Sequence, residues 1–206
     1  MTPTWAGVDV GGRRKGFHVA VIDSVGVELE ASLRTPREVA SWLAEAGPCL
    51  VAVDSPLSPA PPGESSRAGE RELVQAPVCH LRYTPDRAGL SENPRYYEWI
   101  EHGFELYAAL AEAGLAAVEC FPTASWTRWF GPRGEARRAA WTDSALRSLS
   151  LARVRARLNQ DERDAIAAAL TARAHHRGQT ERFGDIVVPL DGGSATTSGG
   201  GGAAER

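Results

Sequence analysis

Acidic side chains stand at the ends of predicted strands in this chain, where an uncompensated charge is costly to bury. Asp9 lies inside the first apolar segment, Asp54 follows the apolar run at residues 51–53, and Glu119 lies near the end of a later apolar segment. A carboxylate in such a position costs several kcal/mol unless a cation or hydrogen-bond donors compensate it. Their placement makes these acids candidates for chemistry.

Two further acids, Asp161 and Asp164, begin the strongest predicted helix. They are one turn apart, so they share a face of that helix.

If the acid-bearing strands run parallel, their C-terminal ends meet at one edge of the sheet, where open α/β sheets usually bind ligands. Converging carboxylates repel one another, and a hard cation such as Mg²⁺ relieves that repulsion through its oxygen ligands. Two such ions about 4 Å apart can activate water and stabilise the leaving oxygen in phosphodiester cleavage. The pattern therefore predicts a metal site formed by Asp9, Asp54, Glu119, Asp161 and Asp164.

Each of these acids also has a structural interpretation. Asp9 could accept hydrogen bonds from the Gly-Gly turn that follows it, and Asp54 could cap the proline-rich loop after its strand. Asp161 and Asp164 could be favourable charges in the first turn of a helix. Glu119 could pair with a nearby arginine. These alternatives stay open at the level of the sequence.

Basic and polar side chains elsewhere are candidates for holding the phosphates of a substrate. A short predicted helix carries an arginine cluster, and the guanidinium group offers a bidentate fork to phosphate, although such clusters are more often solvated helix faces. The first hairpin adds a lysine. The substrate-binding candidates are Arg67, Glu70, Arg71 and Lys15. Tryptophans 126, 129 and 141 could stack on bases, but packing in the core is the more common role.

The hydrophobic pattern predicts strands and helices that would bring the acids together. The first three strands can form an antiparallel meander, and the later strands should add in parallel beside the first, through crossover helices. This is a mixed α/β sheet of five strands with helices on both faces. The predicted strands are residues 5–10, 17–22, 27–33, 50–53 and 115–120, with a further short one at 186–189, and the predicted helices are 36–46, 67–74, 95–113, 144–158 and 161–175.

Composition limits the class of protein. The 206 residues suit one domain over residues 1–190, followed by a disordered Gly/Ser-rich tail at 191–206. The net charge of −3 gives no general reason to expect nucleic acid. Three cysteines without a CxxC pair argue against disulfides and zinc, and no secretory signal or membrane-spanning run is visible. We therefore expect a cytoplasmic protein without membrane association.

Four segments together resemble a known family. They are Gly7-Val8-Asp9-Val10-Gly11, Val51-Ala52-Val53-Asp54-Ser55-Pro56, residues 118–126 (VECFPTASW) and residues 161–169 (DERDAIAAA). This frame is similar to the DUF429 family, which is regarded as predicted ribonuclease H-like nucleases distantly similar to the RuvC resolvases and the YqgF group. The resemblance covers roughly residues 5–190, and residues 121–126 are its most specific part. It implies a ribonuclease H-like fold, an active site with Mg²⁺ or Mn²⁺, and a nucleic acid as partner.

The resemblance also implies roles for individual residues. Asp9 corresponds to the first-strand metal carboxylate of the RuvC-like pattern, Asp54 to the second and Asp164 to the last, so these three are the expected catalytic residues. Asp161, one turn before Asp164, is a further candidate ligand. Asp54 is a departure, because RuvC-like enzymes carry a Glu there; Asp54 is one methylene shorter and would hold a metal at a different reach. Glu119 belongs to the DUF429 pattern itself, without a role that the resemblance defines.

Three functions are compatible with these observations. The leading hypothesis is a metal-dependent nuclease acting on DNA or RNA. A second is a non-catalytic ribonuclease H-like module that uses its arginine-rich later half to bind nucleic acid or protein. A third is an actin-like ATPase or kinase, because the start GVDVGG also resembles a phosphate loop, although no second Gly-rich loop is visible. The sequence does not distinguish DNA from RNA or indicate an oligomeric state.

Overall fold

The structure is a computed structural model that describes residues 2–191. Its centre is a seven-stranded mixed sheet in the order β3-β2-β1-β4-β5-β7-β6. The strands are β1 (Trp5–Val10), β2 (Phe17–Ile22), β3 (Val27–Leu33), β4 (Val51–Asp54), β5 (Ala117–Cys120), β6 (Thr180–Phe183) and β7 (Ile186–Pro189). Residues 192–206, which make up nearly all of the predicted tail, lie outside the described residues.

Some of the helices connect strands as crossovers, and the others pack beside the sheet edge where the acids were predicted to lie. They are α1 (Pro36–Ala46), α2 (Ala68–Gln75), α3 (Arg87–Glu92), α4 (Glu98–Glu112), α5 (Pro122–Phe130), α6 (Arg138–Ser148) and α7 (Gln160–His176). No helix within residues 2–191 is long and apolar enough to cross a membrane.

The pairing of the strands follows the predicted order. β1, β2 and β3 form an antiparallel meander, and β4 and β5 add in parallel on the other side of β1. The predicted count of five strands is too low, because β7 pairs in parallel with β5 and β6 folds back on β7. β6 is a four-residue edge strand with a largely polar sequence, TERF, so it lacks the apolar run that marks a strand in sequence.

Two hydrophobic cores cover the two faces of the sheet. On one face, buried residues of β1, β4 and β5 pack against the alanine-rich helix α7 and against Trp126. On the other face, β1, β2 and β4 pack against α1 and α4. Gly7 allows α7 to approach β1 closely, because a Cβ atom there would lie 2.1 Å from the backbone nitrogen of Ala169. The small side chains of α7 therefore fix this helix directly over β1.

The predicted helix at residues 144–158 departs furthest from the structure. A helix was expected at residues 144–158, but α6 spans Arg138–Ser148. Ser150 and Arg153 have positive φ angles of 51° and 59°, which an α-helix does not accommodate. The backbone of Ala152 instead pairs with Gly26 beside β3, and Val27 N–H donates to the Ala152 carbonyl. Sheet pairing thus replaces helix in this segment.

Candidate functional site

Asp9 and Asp54 come together because β1 and β4 are adjacent parallel strands. In the register of this pair, Asp9 lies beside Asp54 at the C-terminal ends of both strands. Side chains alternate between faces along a strand, so Asp9 points to the same face as Gly7, and Asp54 to the same face as Ala52. That face is the one covered by α7. The fold therefore directs both carboxylates toward the start of α7.

The first turn of α7 supplies two more acids. Asn159 caps the helix, accepting from Glu162 N–H at 2.9 Å while the Glu162 carboxylate accepts from Asn159 N–H at 2.7 Å. This capping box fixes the first turn, from which Asp161 and Asp164 project. We call Asp9, Asp54, Asp161 and Asp164 the carboxylate group.

Asp164 is the most firmly held member of the carboxylate group. It is 2% exposed and accepts hydrogen bonds from Trp126 Nε1 at 3.2 Å and from Gln160 Nε2 at 3.0 Å. Arg138 of α6 donates from Nη2 to Asp164 Oδ2 at 2.9 Å. Burial raises the pKa of Asp164, while Arg138, Gln160 and Trp126 oppose that shift. The donors around Asp164 thus stabilise a carboxylate at a defined position.

His18 joins the group although sequence reasoning missed it. Donor atoms of Asp9, His18 and Asp161 lie within 4.8 Å of one another, which is close enough for one ion to contact all three. His18 pairs with Asp9 in the antiparallel register of β1 and β2. The predicted strand bounds 5–10 and 17–22, joined as a hairpin, already place residue 18 opposite residue 9. Pairing register was therefore the signal that could have found His18.

The carboxylate group carries more negative charge than its surroundings compensate. Burial raises the pKa of Asp9 from 3.8 to about 7, and the charges of Asp164 and Asp161 add to this effect, while Lys15 opposes it. The pKa of Asp54 is raised well above its ordinary value by burial and by Asp9. Asp9 Oδ2 is buried and has no hydrogen-bond partner within the described residues. An oxygen-rich site with an unsatisfied buried oxygen fits a hard divalent cation.

Lys15 provides a second positive charge that contacts the group, in addition to Arg138. Its Nζ lies 2.7 Å from Asp161 Oδ1 and 3.7 Å from Asp9 Oδ2. The side chain is about half exposed and comes from the turn between β1 and β2. A lysine ammonium on a flexible stem can move away when another cation or a phosphate enters.

Glu119 lies apart from the carboxylate group. It alternates along β5 with Val118 and Cys120, which pack on the α7 face, so its side chain points to the opposite face. Both of its oxygens accept from the guanidinium of Arg67, and Oε2 also accepts from Leu57 N–H at 2.8 Å. The arginine partner that the sequence left open is therefore Arg67, and Glu119 uses both of its oxygens in hydrogen bonds outside the carboxylate group.

The other predicted substrate-binding residues lie around this ion pair. Glu70 is 1% exposed and accepts from Arg67 Nε at 3.1 Å and from Thr84 N–H at 3.0 Å. Arg71 Nη1 donates to the Ser66 carbonyl at 2.7 Å and pairs with Glu64. Arg67 and Glu70 are thus buried rather than displayed on a solvated helix face. These contacts brace the long loop that follows Asp54.

Comparisons with known proteins agree with this architecture. The model of the family described as "Protein of unknown function (DUF429)" matches residues 7–187. A structure of Thermus thermophilus RuvC is similar with a TM-score of 0.52 and 17% identity, covering 91% of this chain and 99% of that chain. T. thermophilus RuvC in complex with a Holliday junction substrate gives a TM-score of 0.52 and 14% identity, covering 86% and 98%. No match to a curated protein was found. At these identities the likeness shows the fold, which confirms the predicted ribonuclease H-like class.

Proposed function

Because the chain belongs to the DUF429 family and has the RuvC-like fold, we propose that it is a divalent-metal-dependent nuclease. The observation that carries this proposal is the carboxylate group itself. Four acids from β1, β4 and α7 meet at one sheet edge, and a buried oxygen of Asp9 is left without a donor. The similar RuvC structure with bound Holliday junction substrate supports nucleic acid as the substrate class.

The residues that would hold the ion are the carboxylate group and His18. Asp9 and Asp54 come from the sheet, and Asp164 comes from α7 with its orientation fixed by Trp126 and Gln160. Asp161 and His18 complete the side near β2. A bound Mg²⁺ or Mn²⁺ supplies a Lewis acid that polarises phosphate oxygens and makes water a stronger nucleophile near neutral pH.

The positive side chains at the edge of the group would orient the phosphodiester. Lys15 and Arg138 each contact a carboxylate of the group while part of the side chain stays exposed. Each can therefore donate to a phosphate oxygen brought next to the acids. Arg67, in contrast, is engaged with Glu119 and Glu70, so its proposed role is to hold the loop after β4 in place.

The phosphate-loop alternative gains no support from the turn after β1. Arg13 N–H in that turn donates to Glu98 Oε2 at 2.9 Å, and the same carboxylate lies against Gly12. The amide of Arg13 is therefore already occupied by a carboxylate and is not free to donate to a nucleotide phosphate. The geometry around Asp9 therefore favours metal-dependent hydrolysis over binding of ATP at this loop.

Cleavage assays on the purified protein test the proposal. Fluorescently labelled single-stranded, duplex and four-way-junction substrates would be incubated with Mg²⁺ or Mn²⁺, with chelator as the metal-free control. We expect cleavage that needs the metal and falls by roughly 100-fold or more in Asp9→Asn and Asp54→Asn, because even changes behind a metal ligand cost ~10–100-fold. Glu45→Gln, an exposed carboxylate on α1 across the sheet, is the matched control and should keep full activity. Equal cleavage by Asp9→Asn and wild type would reject the proposal.

A further inference from the structure

A cleft lined by aromatic and arginine side chains opens beside the carboxylate group. Its volume is about 760 Å³, which lies in the ~300–1,000 Å³ range of sites that enclose small molecules. We call it the Trp–Arg cleft, and the lining side chains on which the inference depends are Trp99, Phe121, Trp141, Arg82, Arg133 and Arg138.

The Trp–Arg cleft is continuous with the carboxylate group. Arg138 lines the cleft and also donates to Asp164 at 2.9 Å. Trp99 and Phe121 line both the cleft and a smaller cavity that reaches Asp54. A chain whose phosphodiester lay at the carboxylates would therefore run directly into the cleft.

The aromatic residues of the cleft are more exposed than Trp126 of the core, although Trp141 also packs against the core that contains Trp126. Trp126 is fully buried and its indole N–H is committed to Asp164, and Trp129 packs on it with ring centroids 5.8 Å apart. Trp99, Phe121 and Trp141 are only partly buried. Partly exposed aromatic rings give nucleobases a surface for stacking, and base–aromatic stacking tolerates any base.

The charge of the cleft is opposite to that of the whole chain. The protein has a net charge of −3, yet the cleft lining holds three arginines and, within residues 2–191, no carboxylate. Arg133 is exposed and forms no ion pair among the described residues. Arginine beside aromatic rings suits both the phosphates and the faces of bases.

We propose that the Trp–Arg cleft binds unpaired nucleobases of a single strand next to the phosphodiester at the carboxylate group, an inference that rests on the proposed nuclease function. A duplex keeps its bases stacked inside, so it offers phosphates but no free base faces to Trp99 and Trp141. The substrate class is therefore nucleic acid with a single-stranded segment at the cleaved bond. DNA and RNA share this chemistry, and both are included in the test.

Binding measurements without catalysis test the cleft separately from the reaction. Fluorescence anisotropy in chelator would compare oligothymidylate, oligouridylate and a blunt DNA duplex of ~12 nucleotides. The variants are Trp99→Ala and Arg133→Gln. The matched controls are Trp42→Ala and Arg37→Gln on α1, on the other face of the sheet. Thermal unfolding of each variant confirms that it is folded, and Trp99→Phe retains a ring in case Trp99→Ala does not fold.

We expect the single strands to bind at least about tenfold more tightly than the duplex. Trp99→Ala should lose roughly tenfold or more of that affinity, as for other base-stacking residues, while Trp99→Phe keeps most of it. Arg133→Gln should weaken binding. It should also reduce the number of counterions released on binding, read from the salt dependence of the affinity, by about one. Equal affinity for duplex and single strand, or cleft variants that bind like the α1 controls, would overturn the inference.

The outcome also separates the cleft from the nuclease proposal. Single-strand binding through Trp99 and Arg133, without cleavage in any metal, would support the cleft and reject the nuclease. Metal-dependent cleavage that is unaffected in the cleft variants would support the nuclease and reject the cleft.

Discussion

Asp9 and Asp54 lie side by side in register on adjacent parallel strands, and the pKa of each carboxyl is raised by burial and by neighbouring acids. Two like charges held this close disfavour the folded state unless a proton or a cation neutralises them. The geometry that suits a metal ion is therefore a source of instability in the metal-free protein. This relationship links the proposed function to measurable stability.

The metal-free protein should lose stability as the pH rises from about 4 to about 7. In this range folded Asp9, with a pKa of about 7, keeps a proton that the unfolded chain, with a pKa near 3.8, has released. The folded state then binds more protons than the unfolded state, so stability falls as the pH rises. Asp9→Asn removes this effect and should raise the free energy of unfolding at pH 8 by ~1–3 kcal/mol.

Thermal or denaturant unfolding in chelator at pH 5 and pH 8 checks this prediction. Glu45→Gln serves as the control and should follow the wild type at both pH values. A destabilised Asp9→Asn protein at pH 8 would show that Asp9 is held by donors rather than strained by like charges.

Lys15 should act as an internal counter-charge to the acids. Its ammonium lies against Asp161 and near Asp9, so Lys15→Met should lower the melting temperature of the metal-free protein. The same change should enlarge the stabilisation by Mn²⁺, because the ion no longer competes with a lysine. Differential scanning fluorimetry with and without Mn²⁺ measures both effects, with Arg14→Met in the same turn as control. A Mn²⁺ shift unchanged by Lys15→Met would mean that the two cations do not share a position.

Arg67 and Glu119 should behave as a structural pair. Breaking a buried pair from one side leaves an uncompensated charge, so Arg67→Met should cost ~3–5 kcal/mol of stability. The double variant Arg67→Met/Glu119→Leu should be less destabilised than Arg67→Met alone, which chemical denaturation would show. Glu119→Gln should keep metal binding. Loss of metal binding in a folded Glu119→Gln protein would return Glu119 to the set of ligands.

Gly7 should tolerate no side chain, because α7 lies directly over it. A Cβ atom at this position would be 2.1 Å from Ala169 N and 2.2 Å from the Ala165 carbonyl oxygen, both of them backbone atoms. Gly7→Ala should therefore cost at least ~1–3 kcal/mol, the usual range for overpacking. Gly12→Ala is the control, since its Cβ would meet only the flexible end of Glu98. Similar unfolding midpoints for the two variants would contradict the close packing of α7 on β1.

The sequence predicted the part of the site that depends on strand order. Apolar runs located β1 and β4, and the parallel crossover rule placed Asp9 and Asp54 at one edge, as the structure has them. The helix that carries Asp161 and Asp164 was also predicted, from its acidic first turn and its alanines. Whether these residues act as metal ligands stays a prediction.

Features that depend on side-chain partners could not be read from spacing. The pairing of Glu119 with Arg67 joins residues 52 positions apart and needs the course of the loop after β4. Trp99 was not singled out from the sequence, and only the packed structure shows that it lines a cleft. The edge strand β6 was missed because its polar sequence carries no hydrophobic pattern.

Calorimetric titration of Mn²⁺ and Mg²⁺ into metal-free protein tests the central claim most directly. Wild type, Asp9→Asn and Asp54→Asn would be compared with Glu45→Gln and Glu119→Gln under the same conditions. We predict saturable binding in wild type and in both glutamate variants, and its loss in both aspartate variants. Undiminished binding in Asp9→Asn and Asp54→Asn would contradict a metal site at the ends of β1 and β4.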